Sequence, residues 1–119
     1  MLALYVAAGS ALGGVCRHLV TAALNAPAGF PWGTLAVNVA GALALGALSG
    51  WLAHATGNAA AIRAFAVVGV CGGFTTFSTF SGEMFAMAEG GRWGMLLGYM
   101  AATLLAGFAA VWLGHALSR

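Results

Sequence analysis

The chain has 119 residues, of which 62% are hydrophobic and 5% are charged. Soluble domains carry about 25% charged residues, so this composition excludes an ordinary soluble domain and makes an integral membrane protein the default class. The formal net charge of +2 comes from scattered arginines with no lysine, which leaves no clustered cationic patch for nucleic acid.

A membrane-spanning helix needs about 20 mostly apolar residues. Four stretches qualify, at roughly 2–24, 33–53, 62–86 and 94–116. The first lacks a basic leader, and its apolar run simply continues as a span, so it does not read as a cleavable signal. The connectors NAPAGFPW, HATGNAAA and MAEGGRW are short and rich in Gly, Pro or Asn, as loops are. Trp32, Trp51, Trp93 and Trp112 fall near span ends, where amphipathic rings settle at headgroup level. One domain of four transmembrane helices is expected, embedded in a lipid bilayer.

Span one carries Gly9 and Gly13 at the spacing that lets helix backbones approach closely; Gly46/Gly50 and Gly94/Gly98 repeat it. Cys16, like Cys71 in span three, has no CxxC or His partner, which reads as a buried free thiol rather than a disulfide or zinc ligand. Arg17 lies deeper than a snorkelling arginine needs to be, and a guanidinium at a cavity mouth concentrates anions.

In span two, Asn38 interrupts the run GTLAVNVAG with an amide that offers two donors and one acceptor carbonyl. Thr34 precedes it by one turn on the same face. Polar groups at this depth are costly and mark function.

Span three is interrupted by GGFTTFSTFS over residues 72–81. The glycine pair is expected to break the helix there, and backbone groups released at membrane depth must find partners in protein or in a wet cavity. Phe74, Phe77 and Phe80 recur every third residue, so they are expected along one helical face, with Thr75 and Thr79, and Ser78 and Ser81, on neighbouring faces. An interrupted helix of this kind is a candidate ion site.

Span four places Tyr99 and Thr103 one turn apart. Glu83 sits near the end of span three and reads as interfacial, while His18, His54 and His115 are scattered without ligand or catalytic spacing. No nucleophile–base pair stands out, so no enzyme activity is expected. The arginines set no orientation: Arg63 and Arg119 share one side, Arg92 and Arg17 the other. Without a positive-inside bias, the chain can insert both ways, and opposed copies can pair as an antiparallel, dual-topology homodimer. Four helices of this length hardly enclose a pore alone, so a transport function implies oligomerisation.

GGxxR at Gly13–Arg17, GTLxVNxxG at Gly33–Gly41 and GxxGGFTTFSTF at Gly69–Phe80 together make the chain resemble the small fluoride channels called CrcB or Fluc, over nearly its whole length. That resemblance implies an all-α antiparallel dimer with two pores that passively exports fluoride across a prokaryotic plasma membrane and so limits its toxicity. By position, Asn38, Phe77 and Phe80 would line the fluoride path. Thr34, Tyr99 and Thr103 would form its polar side, with Ser78 and Thr79 nearby, and Arg17 would sit at a vestibule. Gly72 and Thr75 would offer backbone carbonyls to a structural, untransported Na+ at the dimer centre. Gly107 stands one turn after Thr103, where the family often has a hydroxyl.

Two other classes fit the size. A small dual-topology multidrug or cation exporter would need a carboxylate in the first span, and none precedes Glu83. A structural subunit would use its polar residues for helix packing alone.

Overall fold

In the computed structural model, residues 1–27 and 29–119 are described; Ala28, in the first expected loop, lies outside them. Every regular element among the described residues is helical. Helix α1 runs Leu2–Leu24 and α2 Trp32–Leu52. Helix α3 covers 59–74 through the consecutive turns Ala59–Ile62, Arg63–Cys71 and Gly72–Phe74. Helix α4 is Phe77–Glu89 and α5 is Trp93–Ser118. Taken together, α3 and α4 form one apolar stretch, Ala59–Glu89, so four stretches are long and apolar enough to cross a membrane.

The boundaries have local causes. Asn25 ends α1 by turning extended (φ −81°, ψ 135°) while its N–H still donates to the Thr21 carbonyl. Pro31, whose missing N–H costs nothing at a helix start, precedes α2. Thr76 caps α4, its side chain accepting from the Thr79 N–H. The turn into α5 passes through Gly91 at φ 71°, a left-handed conformation that glycine adopts without a Cβ penalty.

The glycine pair does not interrupt the third span. Gly72 is helical (φ −63°, ψ −39°), and Gly73 continues the turn. The extended residues come next: Thr75 at φ −81°, ψ 155° and Thr76 at φ −150°, ψ 122°. Gly73 serves packing instead, since a Cβ there would stand 2.6 Å from the Ser10 carbonyl oxygen of α1. Residues Arg63–Cys71 are wound in π-helical turns, which are wider than α-helical ones and bond i to i+5; the Gly72 N–H reaches back to the Val67 carbonyl in this way. Phe74 therefore does not share a face with Phe77 and Phe80. Its ring packs by Gly41, while theirs lie on the far side of the extended pair.

Glycines set the helix contacts. Gly9 and Gly13 let α1 meet the α3 backbone at Phe65, Gly69, Val70 and Phe74. Gly46, Gly50 and Gly114 let α2 and α5 meet at Val111, His115, Leu43 and Ala47. Close backbone approach of this kind is how helices associate in lipid. Gly94 and Gly98 have the same spacing, yet a Cβ at either would meet nothing. The inner core is small, built on Val37, Phe80, Met87 and Tyr99. Large apolar side chains such as Leu105, Phe108 and Trp112 point outward, as they do where the surroundings are acyl chains rather than water. Cys71 is buried but Cys16 is exposed on α1, contrary to the expectation that both are buried.

Candidate functional site

The site begins with a backbone problem and its solution. In a continuous helix the Thr76 N–H would donate to the Gly72 carbonyl, and the Thr79 N–H to that of Thr75. Both amides are diverted. Thr76 N–H donates to Asn38 Oδ1 at 2.9 Å, and Asn38 Nδ2 donates to the Thr76 carbonyl at 3.4 Å. Thr79 N–H donates to Thr76 Oγ1 at 3.3 Å. One side-chain amide on α2 thus satisfies a residue that lies outside any helix, where lipid would supply no partner. Gly41, one turn after Asn38, makes room, since a Cβ there would run into the Thr75 methyl and the Phe74 ring. The Thr75 hydroxyl bonds back to the Cys71 carbonyl at 3.0 Å, so its side chain is occupied. The carbonyls of Gly72 and Thr75 are left outside the helical ladder. Oxygen donors of that kind suit a hard cation such as Na+, and no His, Cys, Asp or Glu cluster among the described residues competes with them.

On the other side of the extended pair lies a cleft of about 240 Å³, lined by Asn38, Thr75, Thr76, Phe77, Phe80, Thr103 and Leu104. Asn38 spends one Nδ2 hydrogen on Thr76 and keeps a second. Thr103 Oγ1 is buried and, among the described residues, has no hydrogen-bond partner. The Phe77 and Phe80 rings meet at 6.2 Å with a 61° tilt. The cleft thus brings an amide N–H and a hydroxyl beside two phenylalanine rings, whose edges carry partial positive charge. Its chemistry is that of a weak anion site. Phe80 is 4% exposed and Phe77 78% exposed, so the cleft opens on the outer surface of this single chain.

From Phe80 the polar groups continue. Its ring stacks edge-on against Tyr99 at 5.0 Å. The fully buried Tyr99 hydroxyl donates to Glu83 Oε1 at 2.8 Å. The Thr34 hydroxyl donates to Glu83 Oε2 at 2.9 Å. Asn25 completes the group: its Nδ2 donates to Glu83 Oε2 at 3.2 Å and to Thr34 Oγ1 at 3.1 Å. Its Oδ1 accepts from the Gly33 N–H at 2.6 Å and the Thr34 N–H at 3.2 Å, the open amides at the start of α2. Beyond Glu83 a second cavity, of about 130 Å³, is lined by Asn25, Pro31, Met87 and Arg92.

The residues singled out in the sequence separate into groups. Asn38, Phe77, Phe80 and Thr103 come together in the cleft. Thr34 and Tyr99 are gathered by Glu83 instead. Ser78 and Thr79 are exposed on the first turn of α4 and line neither cavity. Arg17 is half-buried on α1 and also lines neither. Glu83 is the hub of the second half of the site rather than an isolated interfacial acid. A carboxylate inside an apolar stretch is itself a functional signal, and that signal could have singled it out. Asn25 reads as a loop residue, and nothing near it in sequence points to Glu83.

A family model described as "CrcB-like protein, Camphor Resistance (CrcB)" matches residues 4–115. A protein of Rhodospirillum centenum, "Fluoride-specific ion channel FluC", is 44% identical over 118 residues, covering 98% of this chain and 94% of the relative. Proteins of the same name from Novosphingobium aromaticivorans and Hyphomonas neptunium are 42% and 44% identical over 119 residues, covering 97% and 98% of this chain and 94% of each relative.

Proposed function

The chain belongs to the CrcB-like family, and on that premise we propose that it is a fluoride-selective ion channel that lets fluoride leave the cell passively through the plasma membrane. Relatives sharing more than two-fifths of its residues bear that name; they are channels, not enzymes. The observation that carries the reading is the cleft in which Thr103 offers a buried hydroxyl without a partner among the described residues and Asn38 a spare N–H, beside two phenylalanine rings.

Fluoride is small and holds its water tightly, so a path for it must replace that water with donors. The Asn38 amide and the Thr103 hydroxyl are such donors. The ring edges of Phe77 and Phe80 attract the ion weakly enough for it to leave, as conduction requires. The exposed Phe77 is unusual for a residue that lines a path, and a second copy laid over the open cleft would enclose it. The near-equal arginine count on the two sides supports copies of opposite orientation. In that antiparallel dimer the interruption at Thr75–Thr76 lies at mid-membrane. The Gly72 and Thr75 carbonyls would hold a structural Na+, which supplies fixed positive charge near the anion path.

The test is efflux from liposomes carrying the purified protein, read with a fluoride electrode. Rapid fluoride efflux that excludes chloride and falls when Na+ is replaced is expected. Absence of flux, or proton-driven cation export, would overturn the reading.

A further inference from the structure

We infer that Asn25 is a positioning residue of the conduction path: it pins the Glu83 carboxylate to the start of α2, so that the carboxylate keeps its place when the Tyr99 and Thr34 hydroxyls turn away from it. The inference rests on the channel reading above. The two cavities lie at opposite ends of one row of side chains, Thr103 and Phe80 at one, Glu83 and Asn25 at the other. Tyr99 joins them, stacked on Phe80 and bonded to Glu83. An anion travelling that row meets a negative charge. Such a charge obstructs an anion unless donors neutralise it and hold it aside.

Among the described residues three groups donate to Glu83: Tyr99, Thr34 and Asn25. The first two are hydroxyls on the row itself, and both could turn toward a passing anion. Asn25 alone of the three is also tied to the backbone, through Oδ1 and the Gly33 and Thr34 amides. Its amide therefore cannot follow the carboxylate if the carboxylate swings; the carboxylate must stay with it. Fixed donors of this sort are what preorganisation means in an ion path. Without the Asn25 N–H, Glu83 is held only by the two hydroxyls, and once either turns toward a passing anion the carboxylate is free to turn across the row.

A swap experiment separates this role from helix capping. Asn25→Asp keeps an oxygen for the Gly33 and Thr34 amides, since Asp and Asn cap helices about equally well, but it replaces the donor to Glu83 with a second carboxylate. Flux should fall about tenfold, the scale of one charge-assisted hydrogen bond, with the dimer size in detergent unchanged and the melting temperature lowered by the two facing carboxylates. Asn25→Asp combined with Glu83→Gln exchanges amide and carboxylate, restoring a donor–acceptor pair between the two positions, and should recover most of the lost flux. Asn25→Ala removes cap and clamp together and should lower both flux and melting temperature. If Asn25→Asp conducts like the wild type, or the swap recovers nothing while the protein stays folded, the inference is wrong. If the wild-type protein itself passes no fluoride, the channel reading has failed instead.

Discussion

Thr103 makes the clearest residue-scale case. A buried hydroxyl without a partner costs about 1–3 kcal/mol, and among the described residues Thr103 Oγ1 is in that position. A structural role would have given it a bond. Thr103→Val removes the hydroxyl at nearly constant shape, so it should leave the melting temperature equal or higher while lowering fluoride efflux about tenfold. A destabilised protein with normal efflux would assign the hydroxyl to packing. Thr34 is its opposite: also buried, but committed to Glu83 and Asn25. The same residue type does two jobs, and only the partners distinguish them. Asn38, Phe77, Phe80 and Thr103 were legible as polar or aromatic intrusions in apolar runs. Glu83 and Asn25 were not legible as a pair, because 58 positions separate them and Asn25 reads as an ordinary loop residue.

At the scale of elements, two readings of glycine need to be kept apart. Gly13 and Gly107 look alike in sequence, yet a Cβ at Gly13 would collide with the Val70 and Phe74 backbone, while one at Gly107 would meet nothing. Gly13→Ala should therefore destabilise the protein by about 1–3 kcal/mol through overpacking. Gly107→Ala should be neutral or slightly stabilising through helix propensity. Thermal melting in detergent, followed by loss of helical signal, checks both; equal effects would mean that the α1–α3 contact is looser than described. The third span carries the same lesson. Glycine, hydroxyl and phenylalanine composition signals an irregular segment, but composition does not say where the backbone leaves the helix. Gly72 and Gly73 stay helical: the Gly72 N–H keeps its bond to the Val67 carbonyl, and Gly73 packs against Ser10 of α1. The backbone leaves the helix at Thr76 because Asn38, on another helix, takes up the Thr76 N–H and carbonyl. That decision is tertiary, and no local window contains it.

At the scale of the whole molecule, composition alone sufficed for four apolar spans, since so little charge forces burial in lipid. How copies assemble depends on a subtler quantity, the arginine balance. Adding lysines to the 53–58 loop should drive one orientation, and adding them to the 90–92 turn the other. If copies pair head to tail, each biased variant alone should pass little fluoride, and the two expressed together should recover flux toward the wild-type level. Full activity from either variant alone would mean that parallel or single copies conduct.

Helix α5, Trp93–Ser118, has 26 residues, so at 1.5 Å per residue it is about 39 Å long. The hydrocarbon layer is only about 30 Å thick. The surplus has to be absorbed by leaning or by protruding among the phosphates. Tyr99 and Thr103 ride on this helix, so whatever angle it adopts is also the angle at which their hydroxyls meet α2 and α4. Acyl-chain length thereby becomes a mechanical input to ion selectivity: a thin host leaflet pushes the helix over, and a thick one stands it up.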